Sequence, residues 1–83
     1  GPDAALIAQE FTTAARTALH GCRRALLALN STGKRAAAEK RTLDADLQAI
    51  IRAHHVLWHA RNRPGGFRES VARMETARQD YRR

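Results

Sequence analysis

The chain has 83 residues, of which 43% are hydrophobic and 5% aromatic, and its formal net charge is +7. This length supports one small domain with a single core and is too short to build a deep catalytic cleft. The single cysteine excludes an internal disulfide, and the sequence contains no run of about 18 apolar residues that would cross a membrane. Much of the hydrophobic content is alanine, which favours closely packed helices over a sheet.

The first segment, from about residue 3 to residue 30, has the pattern of a long helix. Apolar and small residues recur with a period near 3.6 and are expected to form its buried face, which Ala15, Leu19 and Leu26 widen. The central residues of this face are Ile7, Phe11, Ala14, Ala18, Cys22, Ala25 and Leu29. The opposite, polar side carries Gln9, Thr13, Arg16, His20 and Arg23. Gly21 stands in mid-helix at a cost of about 1 kcal/mol, unless a neighbouring helix needs to approach closely there. The preceding Gly1-Pro2 is typical of a cleaved fusion tag, so we assign residues 1–2 to an expression scar.

A second helix is expected from about residue 34 to residue 62, after a short break in which Ser31 or Thr32 caps its start. Its helical periodicity predicts one buried stripe, which Ile51 and Trp58 flank. The residues of this stripe are Ala36, Leu43, Leu47, Ile50, His54, Leu57 and Arg61. Pro64 lacks a backbone N–H and restricts the residue before it, so the helix should end near Arg61 or Asn62.

The third helix is predicted from about residue 67 to residue 82, and one face is expected to carry Phe67, Val71, Met74, Ala77 or Arg78, and Tyr81. Short connections between consecutive helices favour antiparallel neighbours. The sequence therefore predicts an all-α fold, an antiparallel up-down-up three-helix bundle with two long helices and one shorter helix.

Polar donors are concentrated beside the only tryptophan, where the second helix is expected to end. Trp58 is followed by Arg61, Asn62 and Arg63, an arrangement that suits a carbohydrate or a carboxylate ligand. In the alternative, purely structural interpretation, Trp58 fills the core next to the chain reversal, and the three polar residues cap the last carbonyls of the helix. His54 faces the same stripe and is interpreted either as a hydrogen-bonded core histidine or as a ligand contact.

Other chemistry receives little support from the sequence. His55 and His59 are spaced to chelate a metal, but a two-ligand site on an exposed face is weak, so we predict no metal and no cofactor. The acidic residues Glu39, Asp44, Asp46 and Glu75 are read as helix-surface residues among bases, and no nucleophile and base pair stands at useful spacing, so we do not expect an enzyme. Nucleic acid is a weaker candidate partner, because the positive charge is spread around the bundle without interleaved aromatic residues.

The segment from Leu57 to Ser70 resembles the C-terminal helical region of bacterial glycoside hydrolases, including family 20 β-N-acetylhexosaminidase-like enzymes. Phe67 stands where that pattern has leucine. The matching residues are Leu57, Trp58, Arg61, Asn62, Arg63, Pro64, Gly65, Gly66 and Ser70. The resemblance implies a non-catalytic accessory module of a secreted carbohydrate-active enzyme, which binds glycan or packs on the parent enzyme's catalytic domain.

Two alternatives of other classes stay open. One is a basic interaction domain that binds nucleic acid or an acidic protein, and the other is a bundle that serves oligomerisation. The first alternative rests on the net charge. The second rests on the part of the helical hairpin that a shorter third helix leaves uncovered.

Overall fold

The structure is a computed structural model that describes residues 2–30, 32–60 and 64–83, with side chains omitted for residues 2 and 64–68. Its helices are α1 (Pro2–Asn30), α2 (Gly33–Ala60) and α3 (Pro64–Tyr81). The described residues contain no strand. The predicted all-α, up-down-up arrangement of two long helices and one shorter helix is confirmed. Within the described ranges, no helix is long and apolar enough to span a membrane.

Helix α2 is the central element, and its apolar stripe forms most of the core. Leu43, Leu47, Ile50 and Leu57 are buried on it, and Tyr81 from α3 joins three of them. The residues that pack around this cluster are Leu27 of α1, Ile51 of α2, and Met74 and Ala77 of α3. Most of the described members of the stripes predicted for the second and third helices are therefore buried or packed against the core, while the predicted positions Arg61 and Phe67 lie outside the described side chains.

The start of α2 follows from the backbone conformation of Gly33. Gly33 begins α2 with a φ of 64°, in the left-handed region that glycine adopts without steric penalty. The carbonyl of Thr32 accepts a hydrogen bond from the Ala36 N–H over 3.4 Å, which starts the helical ladder. Ser31, the other proposed cap, lies outside the described residues.

The start of α3 differs from the prediction. Helix α3 begins at Pro64 instead of Phe67, so the Pro-Gly-Gly sequence forms its first turn and not a loop. Proline is suited to that position because the first N–H groups of a helix have no intrahelical partner and its fixed φ is already helical. Helix α2 is described to Ala60, and its predicted end at Arg61 or Asn62 falls in the undescribed residues 61–63.

The face of α1 that was predicted to be buried is exposed, and this expectation was wrong. Thr13 and His20, both placed on the polar side, are buried at 7% and 6% relative exposure. Five large apolar residues of α1 are exposed instead, with relative exposures of 45% for Ile7, 74% for Phe11, 61% for Leu19, 57% for Leu26 and 79% for Leu29. Cys22 is also exposed.

The reversed orientation of α1 has a clear cause on α2. The α2 surface that meets α1 carries Glu39 and Asp46, and these carboxylates pair with Arg23, Arg16 and His20 of α1. Packing the apolar stripe of α1 there would leave these acids without cations. The fold therefore uses the polar side of α1 internally and leaves an uncovered apolar surface, which we call the outer face of α1: Ile7, Phe11, Leu19, Cys22, Leu26 and Leu29.

Candidate functional site

The C-terminal end of α2 holds the two described members of the predicted ligand site. His54 and Trp58 are both partly buried and lie one helical turn apart, which places them on the same side of the helix. Arg61, Asn62 and Arg63 lie outside the described residues, so the polar donors expected beside Trp58 stay a prediction. The structure thus places an aromatic and an imidazole near the end of α2.

His54 has an unusual environment for a histidine. Its Nε2 is buried and has no hydrogen-bond partner among the described residues. Burial lowers the pKa of His54 below its ordinary value, because the charged ring would lose its hydration. The ring is therefore neutral near pH 7, and it offers one donor and one acceptor nitrogen to any group that reaches it.

The other histidine pair on α2 is arranged differently from a metal site. The rings of His55 and His59 lie 4.2 Å apart between centroids, and His59 Nδ1 lies 2.8 Å from the His55 carbonyl oxygen, to which it donates. This bond uses one ring nitrogen locally. Among the described residues, no group of three or more His, Cys, Asp or Glu side chains could hold a metal ion.

The sequence analysis missed a buried polar junction at which all three helices meet. His20 of α1 places Nδ1 2.8 Å from Asp46 Oδ2 of α2 and Nε2 2.7 Å from the Tyr81 hydroxyl of α3. The Asp46 carboxylate can only accept, so His20 Nδ1–H donates to it, and in the tautomer with its proton on Nδ1 the ring accepts a hydrogen bond from the Tyr81 hydroxyl at Nε2. The imidazole and phenol rings also meet edge-on, with centroids 5.6 Å apart and planes at 67°.

Two arginines extend this junction. Arg16 binds Asp46 over 2.9 Å, and Arg24 binds Asp80 over 2.8 Å while its guanidinium carbon lies 5.4 Å from the centre of the Tyr81 ring. The contacts of Arg24 link α1 directly to α3. We call the set Arg16, His20, Arg24, Asp46, Asp80 and Tyr81 the polar junction.

The surroundings of the polar junction shift the pKa values of two of its members, Asp46 and Tyr81. Burial raises the pKa of Asp46, but hydrogen bonds from His20 and Arg16 outweigh burial, and the net result is a lowered pKa. Burial raises the pKa of Tyr81, so its hydroxyl stays protonated and remains a donor. A charged Asp46 and a protonated Tyr81 suit a junction that holds the three helices together better than a site of proton transfer.

A second ion-paired cluster joins α2 to α3. Arg78 Nε lies 2.9 Å from Asp44 Oδ1, and the same guanidinium contacts Glu75 at 3.2 Å. The hydrogen bond from Arg78 lowers the pKa of Asp44, with a further contribution from Gln48. Asp44, Asp46, Glu39 and Glu75 were interpreted as helix-surface residues among bases, and the structure shows each of them partly buried and paired with an arginine.

A weaker sequence pattern marks the buried side of α1. Leu6, Thr13, His20 and Leu27 recur at a spacing of seven residues, and all four are buried or partly buried. The line is only half apolar, so a search for hydrophobic periodicity passes over it in favour of the stronger stripe on the other side.

Comparisons with protein-family models, with curated proteins and with solved structures found no match for this chain.

Proposed function

We propose that this chain is a non-catalytic accessory module of a secreted bacterial carbohydrate-active enzyme, and that the end of α2 contacts glycan. The observation that carries the proposal is the position of Trp58, half-buried at the end of α2 beside the segment that resembles glycoside hydrolase accessory regions. A partly exposed indole offers an apolar face for the C–H groups of a sugar ring. The other contact groups of this proposal are Arg61, Asn62 and Arg63.

In this proposal His54 supports the site from one turn below Trp58. Its Nε2 is closed to solvent, so it reaches a sugar hydroxyl only if the side chain turns outward. A neutral imidazole matches a hydroxyl group well, because each can donate one hydrogen bond and accept another.

The carboxylates favour a module without catalysis. Glu39, Asp44, Asp46, Glu75 and Asp80 all pair with arginines. A general acid needs a carboxyl pKa raised toward the working pH, whereas the pKa values of Asp44 and Asp46 are lowered. These groups are used to hold helices together, and the chemistry of the parent enzyme then belongs to its catalytic domain.

The test uses Trp58 as its own reporter, since it is the only tryptophan. Titration with N-acetylated hexosamines, their oligomers and galactosides should shift the single indole N–H resonance and the tryptophan fluorescence. Trp58→Leu should abolish binding measured by calorimetry, while Val56→Ala, a change at an exposed neighbour, should leave it intact. An unmoved indole signal across the panel at millimolar sugar would remove glycan binding and leave only the packing role.

A basic groove favours the alternative of an anionic partner. Lys40, Arg41, Arg82 and Arg83 line one depression together with Tyr81 near the start of α2. Against this alternative, Arg16, Arg23, Arg24 and Arg78 are engaged in ion pairs, which reduces the charge available to a polyanion. Duplex or single-strand binding that survives physiological salt, and that weakens with Arg82→Ala, would favour the nucleic-acid class.

A further inference from the structure

We propose that the outer face of α1 binds the same face of a second copy of this chain, with the two α1 helices antiparallel. The outer face exposes Phe11, Leu19 and Leu29 to more than half of their full extent. Contiguous apolar surface of this kind is uncommon on a monomer unless it marks an interface. The proposal is independent of glycan binding at Trp58.

The spacing on the outer face is that of a coiled-coil contact. Exposed, uncharged residues follow one another along α1 at alternating intervals of four and three, from Ala4 to Leu29. This is the interval at which one helix faces another along its whole length. No charged residue stands in this line, although α1 carries charges elsewhere.

The line is complementary to itself only when the second helix runs in the opposite direction. In one antiparallel register, each large residue meets a small or medium one, and the small residues pair at the centre. The layers of that register are Leu29 against Ala4, Phe11 against Cys22, and Ala15 against Ala18. Two-fold symmetry repeats every layer, as an isologous dimer requires.

The residues that flank the line follow the same rule. On one side Ile7 meets Ala28, and on the other side Leu26 meets Ala5, so large residues again oppose small ones. Gly21 meets Ala14 close to the centre. A Cβ added at Gly21 would have no atom within 4 Å in the single chain, so nothing inside the chain requires glycine there. Close approach of a second α1 helix supplies the reason for it.

The area of the outer face of α1 sets the affinity that we expect for the dimer. Helix α1 has 29 residues and extends about 43 Å, and a strip about 10 Å wide along it covers roughly 400 Å² on each copy. The two strips together cover roughly 800 Å², slightly below the roughly 1,000 Å² at which stable specific interfaces begin and within the range of weak, transient complexes. We therefore expect a weak, concentration-dependent dimer. Because both copies carry a net charge of +7, added salt should strengthen it by screening their repulsion.

Sedimentation velocity across micromolar concentrations tests the interface. The wild-type chain should shift from monomer to dimer, and the shift should move to lower concentration in high salt. Ala18→Glu places a charge in the central layer and should raise the dissociation constant by more than tenfold. Gln79→Glu introduces the same side chain on the exposed surface of α3 and should leave the dissociation constant unchanged. Circular dichroism checks that both variants keep the helical content of the wild type.

Oxidation tests the direction of the helices. In the antiparallel register the two Cys22 thiols lie about 16 Å apart along the axis, so the wild-type dimer should not form a disulfide. Phe11→Cys places a thiol opposite Cys22 of the second copy and should give a covalent dimer. A wild-type chain that remains monomeric at several hundred micromolar, or a Gln79→Glu variant as weak as Ala18→Glu, would overturn the interface. Efficient Cys22 disulfide formation in the wild type would overturn the antiparallel register.

Discussion

The Tyr81 hydroxyl is expected to stabilise the fold because it satisfies a buried histidine. In Tyr81→Phe the ring stays in place, but His20 Nε2 loses the partner that now lies 2.7 Å away, at a residue that is only 6% exposed. Leaving a buried polar group unsatisfied costs about 1–3 kcal/mol. For a domain of this size, each kcal/mol lowers the melting temperature by roughly 4–8 °C.

Urea unfolding followed by circular dichroism measures this loss. The matched control is Thr76→Val, which removes an exposed hydroxyl that donates locally to the Ala72 carbonyl, 3.0 Å away. The control should change the free energy of unfolding by less than about 0.5 kcal/mol. In a His20→Leu background, Tyr81→Phe should cost much less, since the two residues are coupled. A Tyr81→Phe variant as stable as the control, or equal losses in both backgrounds, would refute the reasoning.

The remaining predictions concern charge, core and backbone. Asp44 has a lowered pKa in the folded chain, so the stability that its charged form contributes is present above its ordinary pKa and is lost as the pH falls through the folded value. In a plot of the free energy of unfolding against pH, Asp44→Asn should therefore reduce the slope below about pH 4. His54 also has a lowered pKa, so the free energy of unfolding should fall as the pH drops below about 6.5. His54→Leu should remove this pH dependence and raise the free energy of unfolding near pH 6. An unchanged pH slope in this variant would contradict the burial of the His54 ring. Leu43→Ala, at a residue with 0% exposure, should cost about 2–5 kcal/mol in urea unfolding, and a loss under about 1 kcal/mol would contradict its central position in the core. Gly21→Ala should stabilise the dilute, monomeric chain by up to about 1 kcal/mol, since the new methyl group enters open space, and a destabilised monomer would contradict that exposure.

The sequence was sufficient for α2 and α3 because hydrophobic periodicity has one interpretation there. Leu43, Leu47 and Ile50 lie on the only continuous apolar stripe of α2, and both neighbouring helices contribute to the cluster that covers it. Met74 and Tyr81 follow the same rule on α3. A central helix buries its apolar stripe in nearly any arrangement of its neighbours, so the pattern and the fold agree.

The orientation of α1 could not be read from its pattern. Periodicity shows that a helix has an apolar side, but it does not say whether that side meets the same chain or another one. What orients α1 is a set of polar contacts with α2 and α3. The bond between His20 and Tyr81 joins residues 61 positions apart, a separation at which local sequence rules carry no information.

The surroundings of the two described residues of the candidate ligand site could be predicted from the sequence only in part. Trp58 and His54 lie at the expected end of α2, and both are partly buried as the stripe implied. The buried, unpartnered Nε2 of His54 depends on the packing of surrounding side chains, which spacing alone does not determine. Arg61, Asn62 and Arg63 stay predictions.

The orientation of α1 is the central claim, and a nuclear Overhauser experiment on the ring protons tests it most directly. Tyr81 is the only tyrosine, and its ring should show cross-peaks to the His20 imidazole, because their centroids lie 5.6 Å apart. The Phe11 ring should show contacts within α1 and none to Leu47 or Ile50 of α2. Cross-peaks from Phe11 to those two core residues, with none between Tyr81 and His20, would show that α1 buries its apolar side and would contradict the account.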